Sequence, residues 1–248
     1  LNPDHLNFES ISKLQSADRA SLPEISSIER IGSCITKPGK FIAIGLNFSD
    51  HAAETGAEVP SEPITFMKAT SCINGPNDDI EIVTGSKKLD WEVELGIVIG
   101  KHTKHISEAQ SQDHILGYCL VNDISEREWQ IEKMGQWVKG KSHDTYGPIG
   151  PYLVTKDEIA DINNLKMSLD VNGQRMQTGN TNTMIFNVNI IVSYLSKFMS
   201  LQPGDIITTG TPPGVGMGMK PQQFLKAGDT MRLSIENLGE QNSKVVAL

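Results

Sequence analysis

From Phe41 onward the sequence is a series of short, β-rich apolar runs cut apart by Gly, Pro, Asn and Asp, and this texture constrains the fold more than any other feature. The runs fall at residues 41–46, 64–67, 80–83, 95–99, 118–121 and 206–209. One amphipathic helix is clear: Val188, Ile191, Val192, Leu195 and Phe198 recur at helical spacing behind Asn187, a residue suited to an N-cap, and the pattern stops before Pro203. Two turns, at 203–205 and 227–229, each end in Gly-Asp and deliver the chain into strands at 206–209 and 230–235. Residues 1–39 read differently, being polar with short apolar patches and two prolines, and Pro38-Gly39 marks a boundary. The expected organisation is a small N-terminal appendage over 1–39 and one larger domain over 40–248.

Of the 248 residues, 38% are hydrophobic and 21% charged, enough to bury a sizeable core and too little charge imbalance for disorder. The formal charge of −8, spread along the chain, argues against nucleic acid or an anionic membrane as partner, since both need clustered Lys and Arg. Cys34, Cys72 and Cys119 are odd in number and widely spaced, so neither a disulfide framework nor a structural zinc site is indicated. No apolar stretch reaches membrane-spanning length, and residues 1–8 lack the basic and then apolar order of a signal peptide. A cytoplasmic protein is expected, and because the first residue is Leu1, an N-terminal piece is expected to be missing.

The most informative segment is DWEVELGIVIG at 90–100. Read as a strand, it puts Trp91, Val93 and Leu95 on one face and Glu92 and Glu94 together on the other. Neighbouring same-face carboxylates lie about 7 Å apart at Cα and repel unless solvated, protonated or bridged by a cation. A third acid, Asp123, follows the next apolar run. Three carboxylates without His or Cys favour Mg²⁺, Mn²⁺ or Ca²⁺ over zinc and leave coordination positions open for water and substrate. The bland alternative is that Glu92 and Glu94 form the solvated face of an edge strand.

A second pattern lies in GLNFSDHAAE at 45–54, where a strand end leads into a short helix and His51 and Glu54 share a face. A carboxylate that orients an imidazole is a usual general-base arrangement, and the alternative is a surface His with a helical ion-pair partner. The glycine-rich stretch at 210–218 is neither a P-loop nor a dinucleotide fingerprint, because no GK[ST] follows, and it reads as a substrate-facing turn.

Together with ITFMK at 64–68, GYCLVNDISEREWQ at 117–130, GKSHDTYGPIGP at 140–151 and TGTPPGVG at 209–216, these motifs stand in the order of one known family. The chain resembles the fumarylacetoacetate hydrolase family, including its acylpyruvate and diketo-acid hydrolase branches, over residues 41 to about 240. The resemblance implies an α+β fold, dominated by a mixed, rolled β-sheet with few helices, and a homodimer. It implies that Glu92, Glu94 and Asp123 hold Mg²⁺ or Mn²⁺, that His51 with Glu54 activates water, and that Lys141 stabilises developing negative charge. Lys68, Arg127, Gln130 and Thr211 match substrate-side positions, Lys68 lying close to the metal. Family members often have FLKP where this chain has Phe66-Met67-Lys68-Ala69, so the loop after the lysine differs.

The implied activity is hydrolytic cleavage of a carbon–carbon bond in a 2,4-dioxo acid, giving a 2-oxo acid and a carboxylic acid. The length and WEVEL-type sequence look closer to the branch acting on 2,4-diketo-3-deoxy sugar acids, such as the fuconate derivative, than to the aromatic branch. The same site would serve an oxaloacetate decarboxylase, a 2-oxo acid isomerase or hydratase, or a ureidoglycolate lyase. A reading from another class is a non-catalytic metal-binding module, against which the retained His51, Glu54 and Lys141 argue.

Overall fold

The structure is a computed structural model that describes residues 1–28, 30–56 and 58–248. Its frame is a six-stranded sheet in the order Val154–Thr155, Ile115–Asn122, Val93–Ile99, Ile206–Thr208, Phe41–Gly45 and Ile64–Lys68. All neighbours are antiparallel except Ile206–Thr208 with Phe41–Gly45, which run parallel. The central strands Val93–Ile99 and Ile115–Asn122 are buried at every residue, which explains their unbroken apolar runs.

A five-stranded sheet, ordered Gln174–Asn180, Lys166–Val171, Thr230–Ile235, Gly239–Ala247 and Ile80–Ile82, packs over those two central strands. Met167, Leu169, Met231, Leu233 and Ile235 alternate inward from it and are buried. Two buried amides tie the sheets together: Asn122 Nδ2 reaches Met231 Sδ at 3.7 Å, and Gln241 Nε2 donates to the carbonyl of Leu120 at 3.0 Å. The fold is α+β with mixed sheets and few helices, as the resemblance implied, and neither sheet closes into a barrel.

The Val188–Phe198 helix begins where expected, because the Asn187 side chain accepts from the backbone N–H of Asn189 and Ile190 at 3.0 and 3.1 Å. Its apolar stripe is buried through Leu195, but Phe198 is 65% exposed, a departure from the sequence expectation. The last turn overshoots the core, and the Phe198 ring instead packs edge-on against Tyr194 at 4.9 Å.

Strands Lys166–Val171, Gln174–Asn180 and Gly239–Ala247 were not anticipated: in the last two, buried Gln177, Gln241 and Ser243 take inward positions where apolar residues would show the alternation, and the first alternates over only six residues. The N-terminal stretch carries a Phe8–Gln15 helix capped by Asn7, and Leu6 and Ile35 are fully buried in the shared core. No helix among the described residues is long and apolar enough to cross a membrane.

Candidate active site

The strand pairing brings the three acids together. Val93 faces Asn122 and Glu94 faces Val121 in antiparallel register, and the Asp123 N–H donates to the Glu92 carbonyl at 2.9 Å. Glu92, Glu94 and Asp123 therefore converge, with one carboxylate oxygen from each within 4.8 Å of the others. All three are buried, so they are not the solvated face of an edge strand.

Three cations surround two of these acids. Lys141 Nζ donates to Glu92 Oε2 at 2.6 Å and to Asp123 Oδ2 at 2.7 Å. Lys68 Nζ donates to Asp123 Oδ1 at 2.6 Å and to the carbonyl of Lys141. Arg127 spans Glu92 Oε1 at 2.6 Å, Asp90 Oδ2 at 2.8 Å and Gln130 Oε1 at 3.0 Å. Burial opposes ionisation of Glu92, but Arg127 and Lys141 outweigh it and bring the carboxyl down to about 2. Burial likewise opposes the Lys141 charge, yet Asp123 and Glu92 hold the ammonium above the usual lysine range.

Glu94 is treated differently. It accepts one backbone N–H, from Gly210 at 3.0 Å, and among the described residues no Lys or Arg forms an ion pair with it. Burial, then Asp123 and Glu92, hold its carboxyl well above the usual carboxylate range. A buried acid left short of positive charge beside two others fits a hard divalent cation, and the all-oxygen donor set suits Mg²⁺ or Mn²⁺.

His51 and Glu54 sit on the Ser49–Thr55 helix, which Gly56 closes in the left-handed region at φ 67°. His51 Nδ1 lies 3.2 Å from Glu54 Oε2, and the Gly214 N–H donates to both Glu54 oxygens at 3.1 and 3.2 Å. Gly214 has φ 101°, and a Cβ there would lie 2.0 Å from the Met176 carbonyl oxygen, so only glycine supplies this N–H. Upstream, Leu46 turns with φ 50° at the strand–helix junction. Fully buried Asn47 fixes that turn through bonds to Phe186 and Thr209.

A cavity of about 280 Å³ opens between these elements, with His51, Glu92, Glu94, Arg127, Gln130, Lys141 and Thr211 on its wall. Asp123 has no exposed surface and accepts from Lys141, and Glu54 meets His51 at Nδ1. Lys68, expected among substrate contacts, is off the cavity wall: its ammonium is fully buried against Asp123 and the Lys141 carbonyl. Thr211 reaches the wall, but its hydroxyl already donates to the Val93 carbonyl at 2.9 Å and accepts from Gln177 at 2.8 Å.

Two residues escaped the sequence reading. Asp90 is fully buried and accepts from the N–H groups of Trp91, Gly216 and Met217 as well as from Arg127, tying the glycine-rich loop to the guanidinium. Gln177 bridges Val93, Thr211 and Pro212. Asp90 stood in the DWEVEL motif but nothing local signalled its role, and Gln177 lies on a strand that was itself missed.

The sequence profile of the fumarylacetoacetate (FAA) hydrolase C-terminal domain matches residues 40–246. A Burkholderia ambifaria protein bearing the provisional name hydrolase is 59% identical over 239 residues, covering 96% of this chain and 85% of its own. The crystal structure of a provisionally assigned HpcE protein from Mycobacterium smegmatis superposes with a TM-score of 0.91 at 36% identity, covering 99% of this chain and 88% of that one. That of 2-hydroxyhepta-2,4-diene-1,7-dioate isomerase from Mycobacterium marinum gives 0.74 at 37% identity, covering 85% and 75%. Fold and site together are those of an enzyme with a buried acidic triad able to hold a metal. The chain belongs to the fumarylacetoacetate hydrolase family, whose members include hydrolases and isomerases and commonly use a divalent metal.

Proposed function

We propose that the protein is a Mg²⁺- or Mn²⁺-dependent hydrolase that cleaves a carbon–carbon bond of a 2,4-dioxo acid, releasing a 2-oxo acid and a carboxylic acid. The observation that carries this reading is one cavity that presents both the buried three-carboxylate cluster and a carboxylate-oriented imidazole. A metal held by Glu92, Glu94 and Asp123 would supply Lewis-acid stabilisation at the 2-oxo, carboxylate end of the substrate.

With Glu54 3.2 Å from its Nδ1, the imidazole on the cavity wall takes a proton from water. The water oxygen attacks the distal carbonyl carbon, and the Lys141 ammonium stands on the same wall to stabilise the oxyanion. Collapse breaks the bond between the distal carbonyl carbon and the methylene. Its electron pair leaves as the enolate of the 2-oxo acid, which regains at that carbon the proton taken by His51. One water is consumed and the two acids account for all atoms. Arg127 and Gln130 hold the substrate's oxygens. The reading includes a cytoplasmic location, expected from the sequence pattern, and a homodimer, as the resemblance implied.

The second reading, isomerisation of a related 2-oxo acid at the same site, is favoured by the likeness to the M. marinum isomerase. An ultraviolet assay with Mg²⁺, Mn²⁺ or chelator separates them on dioxo acids, oxaloacetate and an unsaturated 2-hydroxy diacid. Chelator-sensitive loss of the dioxo acid's enol absorbance with formation of two acids is expected. Turnover of the unsaturated diacid without bond cleavage would replace hydrolase by isomerase, and activity on oxaloacetate alone would make the enzyme a decarboxylase.

A further inference from the structure

The strand that carries Glu94 loses its neighbour on one side just where the site begins. Ile206–Thr208 pairs with Gly96–Val98, and the chain then turns out of the sheet at Gly210, which has φ 89°. Thr209 still reaches the Leu95 carbonyl through its N–H and its hydroxyl, both at 3.1 Å. Val93, fully buried between the two glutamates, lies beyond that last partner, and its N–H and C=O need others. One amide from the other sheet meets the need. Gln177, fully buried on strand Gln174–Asn180, accepts the Val93 N–H at Oε1 at 3.0 Å. Its Nε2 donates to the Thr211 hydroxyl and to the Pro212 carbonyl, both at 2.8 Å, and the Thr211 hydroxyl donates to the Val93 carbonyl at 2.9 Å. The direction of the amide is fixed, because Val93 presents a donor and Pro212 an acceptor.

The residues that Gln177 grips stand between two donors of the site. The Gly210 N–H meets Glu94, and the Gly214 N–H meets Glu54. Thr211 and Pro212 lie between them, so one side chain sets the loop that serves both carboxylates. Shape reinforces the grip on either side of the amide. A Cβ on Gly179 would lie 2.3 Å from Pro212 Cβ, and one on Gly214 would lie 2.0 Å from the Met176 carbonyl oxygen. Gln177 is not on the cavity wall, so it acts on a bound ligand only through the groups it holds.

We propose that Gln177 is a positioning residue that holds two parts of the site in register: the strand of Glu92 and Glu94, and the loop whose N–H groups meet Glu94 and Glu54. The spacing between the acidic cluster and the His51–Glu54 pair is then set from the second sheet, by a residue that touches neither metal nor substrate. The inference rests on the metal reading of the three acids, and its kinetic arm rests on the hydrolase reading.

Three variants test it. Gln177→Met keeps the length of the side chain and removes every bond of the amide, whereas Gly179→Ala keeps the amide and pushes on Pro212. Gln241→Met is the control, because Gln241 is equally buried and ties the same two sheets through the Leu120 and Gly150 carbonyls, away from the loop. Each is measured for Mn²⁺ affinity by calorimetry, for thermal unfolding in chelator, and for kcat and KM on a dioxo acid at saturating Mn²⁺. Both glutamine variants are expected to lower Tm, since each strands buried polar groups. Gln177→Met is further expected to weaken Mn²⁺ binding at least about tenfold and to lower kcat about tenfold to a hundredfold, with KM within about threefold. Gly179→Ala should change Mn²⁺ affinity in the same direction, and Gln241→Met should leave it unchanged. Mn²⁺ affinity and kcat within about twofold of wild type in Gln177→Met overturn the inference whatever its Tm, as does an equal loss in Gln241→Met. If Gln177→Met does not fold, wild-type Mn²⁺ affinity in Gly179→Ala overturns it. Weakened Mn²⁺ binding in a protein that turns over no dioxo acid keeps the inference and removes the hydrolase reading, and a wild type that binds no Mn²⁺ removes both the metal site and the inference.

Discussion

Asp90→Asn tests whether the site is held from behind by one carboxylate. Asp90 Oδ1 accepts from the N–H groups of Trp91 at 2.8 Å and Gly216 at 2.7 Å, and Oδ2 from Arg127 Nε at 2.8 Å and the Met217 N–H at 2.9 Å. Asparagine keeps the shape but has one acceptor oxygen. Whichever way it turns, its amide N–H₂ faces a pair of buried donors, so two bonds are lost. An unsatisfied buried donor costs about 1–3 kcal/mol, and breaking a buried charge pair about 3–5 kcal/mol, so the variant should lose about 3–5 kcal/mol. For a chain of this size that is a fall in Tm of roughly 6–20 °C. Thermal unfolding followed by circular dichroism in chelator, which removes any contribution from bound metal, measures it. Asp170→Asn is the control, because Asp170 pairs with the exposed Arg175, and such a pair contributes about 0–1 kcal/mol. An Asp90→Asn variant within about 1 kcal/mol of wild type would refute the argument that Asp90 anchors Arg127 and the glycine-rich loop.

His51→Ala should leave Mn²⁺ affinity within about threefold, since His51 is not among the clustered acids, while lowering kcat by about 10²–10⁴. An unchanged rate would remove His51 from the mechanism. At alkaline pH the buried Tyr118 matters: burial raises its phenol to about 12, so the folded state keeps a proton that the unfolded chain releases near 10. Its contribution to stability is therefore complete below pH 10 and is lost as pH rises through about 12. Tyr118→Phe should abolish close to one proton of the release that accompanies unfolding at pH 11, read from the slope of stability against pH. An unaltered slope would mean that Tyr118 ionises in the folded protein.

The legibility of the site from sequence was uneven for a physical reason. Glu92, Glu94, His51 and Glu54 stand close along the chain, so helix and strand periodicities alone put each pair on a shared face. Asp123 was read as a third acid after the next apolar run, while Lys141, Arg127 and Gln130 came from motif resemblance, because the meeting of these residues depends on the register of Val93–Ile99 against Ile115–Asn122, which no local pattern specifies. Asp90 and Gln177 were missed since, the adjacent Trp91 aside, their partners lie 37 to 127 and 34 to 84 positions away. Lys68, expected among the substrate contacts, lies against Asp123 and off the cavity wall, a distinction of depth that a sequence motif does not encode. The apolar part of the cavity lining was equally hidden, as Ile64, Phe66, Ile131 and Trp137 are ordinary hydrophobic residues until packing gathers them.

Glu92 and Glu94 are two residues apart and chemically identical, yet their surroundings assign them opposite parts in stability. Glu92 compensates Arg127 and Lys141, so Glu92→Gln leaves two buried cations short of charge and should cost about 3–5 kcal/mol in chelator. Glu94 has no cationic ion-pair partner among the described residues and is raised by its acidic neighbours, so Glu94→Gln removes repulsion and should leave the metal-free protein as stable as wild type or up to about 2 kcal/mol more stable. Addition of Mn²⁺ separates them again. Wild type should gain about 2.7 kcal/mol at a hundred times its Kd, and Glu94→Gln should gain almost nothing, because the acid that most needs the cation is gone. Thermal shift of wild type and both variants, with and without Mn²⁺, reads these differences. If Glu94→Gln destabilises the metal-free protein as much as Glu92→Gln does, the acidic cluster is a structural ion-pair network, and the metal site and the hydrolytic reading built on it both fall.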